Sequence, residues 1–421
     1  MYRIWVGGSS ACDIHTEKKM IINFIKNNGF ELVSDVRKAD IIILTDSCFG
    51  TYNQFLYTFQ CIENILKDKK EDAKVILSGC ITRGVKFELT DKQKTILDMV
   101  TIIKIEDLVP YVAEMLRGKV HPDDFDIPYF AKNFSIQINP VHGCLNHCSF
   151  CKTNYTNFDL KSYPFEKVES LTRDMDEIDY PFRQVSIQSS NLSLYGVDLY
   201  GKARAHEVIR SFTQPTRIKF AYIGALINWY QELVDEILSN SKVKEIAISL
   251  ESGSPRVYNL MNRPITLENL IQIIKLIRRE RPDIVIQTEF IAGFPTETID
   301  DLKRTIDLAY ELDVYPAFVW PYYDSKQIPS SKLKGHDFSY CEEAALYVID
   351  ELEPLKEKFK ETINNGEMVV VNKVDAYPIY ETILINGALR YIRMDQVDRE
   401  YEVGEIIPAN MVKPKQLVKR K

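Results

Sequence analysis

"FSIQINPVHGCLNHCSFCK", residues 134–152, passes from an alternating apolar segment through Asn139-Pro140 into a stretch carrying Cys144, Cys148 and Cys151. The alternation predicts a strand, and the Asn-Pro pair predicts its end. The three thiols are therefore expected on the loop at the carboxyl end of that strand. Downstream, "QVSIQSS" (184–190), "RIKFAYI" (217–223), "EIAISLES" (245–252), "VIQTEFIAG" (285–293) and "PAFVWPYY" (316–323) repeat the strand pattern with helical periodicity between them. Six such units predict a partial (β/α)6 barrel over 135–362 rather than a second open sheet. Barrels of this kind hold their reactants at the carboxyl ends of the strands, where the cysteines fall.

Upstream, "YRIWV" (2–6), "ADIIILT" (39–45), "KVILSG" (74–79) and "VTIIKI" (100–105) read as strands, with helical patterns "TEKKMIINFIKNN" and "NQFLYTFQCIENILKDKK" between them. Gly29 stands where a helix C-cap is expected. This predicts an open parallel α/β sheet over 1–118. A polar linker with His121, Pro122 and Pro128 is expected over 119–134. After 363 the period shortens: "EMVVVNKV", "YETILING" and "LRYIRMDQV" predict a small C-terminal antiparallel β-barrel over 363–421, ending in a basic tail.

The chain has 421 residues, 45% hydrophobic and 27% charged, with a formal net charge of -7. These values predict a soluble multidomain protein and argue against nonspecific coating of nucleic acid, though they leave a local basic patch open. Residues 1–10, "MYRIWVGGSS", carry no signal-peptide pattern, and no apolar run is long enough to span a membrane. A cytoplasmic location is expected. In a reducing compartment, eight cysteines suggest metal or catalytic roles more than disulfides.

A structural zinc site takes four protein ligands, commonly two separated pairs, and the 135–362 region offers no second such pair. A [4Fe–4S] cluster held by three thiolates keeps one iron open to a small molecule. That iron explains why the loop has three thiols and no fourth. Cys12, Cys48 and Cys80 lie at or shortly after the ends of the first three predicted strands, 36 and 32 residues apart. Parallel strands put such ends on one edge, so these thiols are expected to form a second three-cysteine site. The alternatives are zinc or no metal at the first trio and unrelated buried cysteines at the second. Cys61 and Cys341 read as packing residues. His142 and His147 read as loop residues rather than ligands.

CxxxCxxC with Phe150 before its last cysteine, on the first loop of a six-unit barrel, resembles the radical S-adenosylmethionine enzymes. With the flanking domains, and with "SSNLSLYG" (189–196), "SLESGSPRVYNLMNRPIT" (249–266) and "EFIAGFPTETIDDLKRT" (289–305), the chain is similar to their methylthiotransferase family over nearly its whole length. The resemblance implies two [4Fe–4S] clusters and S-adenosylmethionine as cofactors. The cluster on Cys144, Cys148 and Cys151 would generate a 5'-deoxyadenosyl radical, and the auxiliary cluster on Cys12, Cys48 and Cys80 would carry the sulfur to be inserted. It also implies that the terminal barrel is a TRAM-like domain gripping a macromolecular substrate. Gln188, Ser189, Ser190 and Asn191 would meet the methionine amino group, and Glu251 a ribose hydroxyl. Arg263 would pair with the methionine carboxylate, while Ile291 and Gly293 would pack the adenine. An electron donor such as flavodoxin or ferredoxin is implied, and a monomer is expected. An unactivated C–H bond is beyond acid, base or nucleophile at neutral pH, which suits a radical cofactor.

The family's cationic stretch after the last loop cysteine is "KTNYTNFDLKSYP" here, keeping only Lys152 and Lys161. Ser189 and Ser190 replace an expected Gly-Gln before Asn191, and Glu251 replaces an expected Gln. "YYDSKQIPSS" (322–331) replaces a motif with arginine. These departures surround the barrel mouth and bear on the substrate. A transfer RNA, modified on an adenosine beside the anticodon, needs phosphate contacts, for which Arg390, Arg393 and "KPKQLVKRK" (413–421) are candidates. A polypeptide, either a ribosomal protein or a ribosomally made precursor peptide, needs fewer cations, and the sequence leans that way. A noncatalytic iron-sulfur carrier, or a radical enzyme whose second cluster only shuttles electrons, remains the alternative.

Overall fold

The computed structural model describes residues 2–7, 15–46, 52–79, 89–104, 107–120, 129–132, 135–151, 159–177, 183–212, 219–324, 328–364, 368–374, 379–384, 389–394, 397–402 and 405–408. Cys12, Cys48, Cys80, residues 121–128 and 133–134 of the expected linker and the basic tail lie outside them.

The first sheet is parallel throughout. It is built from β1 (Arg3–Gly7), β2 (Glu31–Leu32), β3 (Ile41–Asp46), β4 (Lys74–Gly79) and β5 (Thr101–Ile102), in the order β2-β1-β3-β4-β5. Its central strands are nearly continuous aliphatic runs because both faces are covered. Ile41, Ile43 and Ile76 pack with the helices His15–Asn27 and Leu108–Leu116 on one face. Ile42, Leu44, Val75 and Leu77 pack with the helices Tyr52–Asp68 and Asp91–Asp98 on the other. Gly29 adopts φ 69°, and the bonds from Gly29 N to Lys26 O and from Phe30 N to Ile25 O close the first helix as the sequence predicts. The strand expected over 100–105 contracts to Thr101–Ile102. It is an edge, both residues are exposed, and among the described residues only β4 pairs with it.

The second sheet contains seven strands. β6 (Tyr129–Lys132) runs antiparallel to β7 (Ser135–Ile138), and β10 (Arg183–Ile187), β11 (Lys219–Ile223), β12 (Val243–Glu251), β13 (Val285–Ala292) and β14 (Tyr315–Pro321) continue parallel to β7. The order is β14-β13-β12-β11-β10-β7-β6. The six expected strands are all present. β6 was not expected, because it falls in the stretch assigned to the linker, and its antiparallel pairing with β7 gives it a place at the edge. Helices Phe165–Glu177, Ala205–Arg210, Gln231–Ser239, Leu267–Glu280 and Ile299–Leu312 return the chain between strands. They bury Ile187, Ile223, Ile246, Ile248, Ile286 and Phe290 in the largest core cluster. Alternation along β12 and β13 then leaves Ser249, Gln287, Glu289 and Ile291 on the opposite face.

Between β7 and β10 a two-residue pairing forms a clasp: β8 (Val141–His142) is antiparallel to β9 (Lys161–Ser162). The helix Phe338–Asn364 packs against β14. Beyond it, β15 (Met368–Val374), β16 (Ile379–Leu384), β17 (Leu389–Arg393) and β18 (Ile406–Ile407) make an antiparallel sheet of order β17-β16-β15-β18. Among the described residues no helix is long and apolar enough to cross a membrane.

Candidate active site at the cysteine loop

Chain direction places the site. In a parallel sheet all carboxyl ends share one rim, so the loop after β7, residues 188–191 after β10, Glu251 at the end of β12 and Gly293 after β13 meet there. The cysteine loop is anchored at several points. The clasp β8–β9 holds its neck, while Ser149 N donates to Met261 O (2.8 Å) and Ser149 Oγ to Leu260 O (2.7 Å). Ser330 donates to Ser149 O through both its backbone N (3.1 Å) and its Oγ (2.9 Å). Asn262 Nδ2 donates to His147 O (2.8 Å). His147 thus serves the loop through its carbonyl, and His142 lies edge-on to Tyr163.

Cys148 is buried, and Cys144 and Cys151 are half-buried. The Cys144 sulfur accepts from Asn146 N at 3.4 Å and from Asn191 Nδ2 at 3.3 Å. Asn191 is fully buried. Its amide also donates to Asn228 Oδ1 (2.9 Å), and its Oδ1 accepts from Ser193 Oγ (2.5 Å). Asn146 Nδ2 reaches the same Asn228 oxygen at 2.8 Å. The Cys148 sulfur accepts from Arg263 Nη1 at 3.3 Å. The Arg263 side chain is 3% exposed, and its Nη1 lies 3.8 Å from Glu251 Oε1. Its Nη2 donates to Ser249 O at 2.7 Å, and its guanidinium stands over the Phe150 ring at 5.9 Å.

Electrostatics follow from burial. Desolvation pushes the Cys148 thiol up to about 11, opposed by Arg263. Such a sulfur becomes a thiolate only beside compensating positive charge, which a bound iron supplies. Burial, aided by the Glu289 charge and opposed by Arg263, pushes the Glu251 carboxyl up to about 8. Burial alone would lower Arg263, but the charge of Glu251 and the neighbouring thiol hold it above its ordinary value. Glu251 has φ 65° beside a register shift between β12 and β13, which turns its carboxylate toward Arg263. A non-glycine residue in that region holds about 1–3 kcal/mol of strain, and such strain concentrates at functional sites.

Three thiols at one rim, two of them already receiving N–H donors, fit an iron-sulfur cluster, since hydrogen bonds to the sulfurs are what stabilise and tune such centres. Among the described residues no group of three His, Cys, Asp or Glu is arranged to hold a single metal ion. In a cubane each thiolate binds a different iron, so its ligands need not converge on one point.

The other predicted site residues are distributed as follows. Gln188 Nε2 donates to Ser186 Oγ (3.0 Å), and Ser189 Oγ donates to Val141 O (2.8 Å) and accepts from Asn191 N (3.1 Å). Ser190 lies half-buried between them. Ile291 packs with Phe150 against the cluster of Val257, Met261, Phe294 and Cys341. Gly293 has φ 79°, and a Cβ there would lie 2.7 Å from Cys341 Cα. The close approach its missing side chain permits is thus to Cys341, which is buried as expected of a packing residue.

Sequence reading missed Asn228, Ser330, Glu289 and Glu297. Glu297 is buried, and its Oε2 accepts from Gly293 N (2.6 Å) and Phe294 N (3.2 Å), which fixes the turn after β13. Burial pushes its carboxyl up to about 8 against those two bonds. An acid four residues beyond a glycine that ends a strand was the available signal. Glu289 holds Ser249 Oγ (2.8 Å) and Trp320 Nε1 (3.0 Å) across three strands.

Residues 138–309 match the Radical SAM superfamily, and residues 11–101 match a family described as Uncharacterized protein family UPF0004. The chain is similar to the ribosomal protein uS12 methylthiotransferase RimO of Lachnoclostridium phytofermentans, 23% identical over 77% of each chain. It is also similar to the tRNA-2-methylthio-N(6)-dimethylallyladenosine synthase of Thermotoga petrophila, 24% identical over 69% of this chain and 68% of the other. Among solved structures, the cobalamin-dependent S-adenosylmethionine radical enzyme OxsB superposes with a TM-score of 0.49 at 12% identity, over 85% of this chain and 56% of that one. Two matched families in sequence order, relatives of one reaction type along most of the chain, and three thiols at the carboxyl rim together support the radical S-adenosylmethionine methylthiotransferase family.

Proposed function

We propose that this enzyme inserts a methylthio group at an unactivated C–H bond of a polypeptide substrate, a ribosomal protein or a ribosomally made precursor peptide. The observation that carries the reading is the cysteine loop, with Asn146, Asn191 and Arg263 donating to two of its three sulfurs. Cys144, Cys148 and Cys151 would hold the radical-generating cluster, and Cys12, Cys48 and Cys80 the auxiliary one. When bound, the first cluster and S-adenosylmethionine supply the one-electron chemistry that opens such a bond. The chain's own residues bind, orient and exclude water. Gln188, Ser189, Ser190 and Asn191 line the end of β10, Glu251 and Arg263 form the buried charged wall, and Ile291 with Gly293 forms the apolar one.

The polypeptide reading is supported by the loss of cations around the mouth and by relatives named for ribosomal protein uS12. A transfer RNA substrate has the support of other relatives and of Arg390 and Arg393. Residues 363–421 would form a TRAM-like barrel gripping the substrate, beyond a radical domain over 135–362, a linker over 119–134 and an auxiliary-cluster domain over 1–118. We place the enzyme in the cytoplasm as a monomer that takes electrons from a flavodoxin or ferredoxin. Anaerobic reconstitution and iron counting, followed by incubation with uS12 and with total transfer RNA, test the reading. Its expected outcome is about eight irons per chain and a polypeptide mass gain of one sulfur and one methyl carbon. About four irons, or transfer that survives replacement of Cys12, Cys48 and Cys80 by Ala, would overturn the second-cluster assignment. Thiomethylated transfer RNA with unmodified uS12 would overturn the polypeptide assignment.

A further inference from the structure

We propose that Arg263 is a positioning residue that raises the reduction potential of the cluster on Cys144, Cys148 and Cys151, acting through the Cys148 sulfur. The inference rests on the cluster assignment rather than on methylthio transfer, and iron per chain reports on that assignment separately.

The sulfurs of Cys144 and Cys148 have different surroundings. Cys144 receives neutral donors, a backbone N–H and a carboxamide. Cys148 receives a guanidinium whose side chain is 3% exposed and which is fixed at 2.7 Å on Ser249 O. A cation excluded from solvent interacts with a nearby cluster far more strongly than one in water. The reduced cluster carries one more negative charge than the oxidised one, so a positive group at its ligand stabilises the reduced form more. Glu251 Oε1, 3.8 Å from the same Nη1 that donates to the Cys148 sulfur, helps hold the guanidinium in place. Both terminal nitrogens of Arg263 are therefore committed to the protein. The methionine carboxylate that the sequence assigns to Arg263 is a second demand on the same group, and the two roles make different predictions.

The test is an EPR-monitored redox titration of the reconstituted full chain, with S-adenosylmethionine added to distinguish the cluster it perturbs. In Arg263→Gln, the ratio of reduced to oxidised cluster at a fixed potential should fall about tenfold, as loss of a charge-assisted bond to a cluster sulfur implies. Affinity for S-adenosylmethionine, followed by the same spectral change, should fall much less. An unchanged ratio with a large loss of affinity would overturn the inference and leave Arg263 as the carboxylate ligand. A variant that does not assemble the cluster is bypassed by the wild-type chain grown with 15N-arginine. Hyperfine spectroscopy of its reduced cluster should then show a weakly coupled arginine nitrogen, and absence of that coupling would also overturn the inference.

Discussion

At the scale of single residues, the site was legible where chemistry demands a residue type and less so where packing does. Cys144, Cys148 and Cys151 could be placed from spacing alone, since three thiols in one loop have few uses. Asn191 and Arg263 were expected beside S-adenosylmethionine, and both donate to cysteine sulfurs. Gly293, expected beside the adenine, meets Cys341 in the structure. Its freedom serves a backbone packed at Cys341, so Gly293→Ala meets both a positive φ and a 2.7 Å contact. The variant should lose about 3 kcal/mol of stability in urea unfolding, since backbone strain and overpacking act together.

At the scale of elements, strands covered on both faces were readable, and short edges were not. The aliphatic runs of β3 and β4 announced themselves, whereas β5 takes in only Thr101–Ile102 of the described residues 100–104 and β6 fell inside an expected linker. Edge pairing depends on a neighbour that the local sequence does not describe. The turn after β13 carries a testable pH dependence through Glu297. Its carboxyl is raised from 4.5 to about 8, so over that window the folded chain keeps a proton that the unfolded chain has lost. Its contribution to stability is complete below pH 4.5 and is lost as pH rises toward 8. Glu297→Gln, which stays neutral, should therefore gain on the parent protein with each step from pH 5 to pH 8 in urea unfolding, by a few kcal/mol at most. A constant difference across that range would show that Glu297 does not hold the proton.

At the scale of the whole molecule, a parallel α/β sheet, then six strand-and-helix units, then antiparallel strands were foreseeable from changes of period along the chain, whereas closure of the last two parts into barrels was an expectation of the sequence. The juxtaposition of residues far apart in sequence, such as Ser330 on Ser149 or Asn228 on Asn191, was not. Net charge belongs to this scale. A chain with a formal net charge of -7 should bind total transfer RNA weakly at about 0.15 M salt and lose that binding steeply as salt rises. Polypeptide modification should change little over the same range, which paired binding and mass-spectrometric assays would reveal.

The clasp between β8 and β9 has a bearing on repair. It pinches the stem of the cysteine loop at His142 and Lys161, so the segment between them begins and ends at one spot on the rim. The parallel strands therefore keep their register through their own ladders, with the ends of the segment already joined at the clasp. A cluster lost to oxygen is accordingly expected to be replaceable in place. Chelation should leave the unfolding midpoint of the second sheet nearly unchanged, and fresh iron and sulfide should restore the original spectrum without a refolding step.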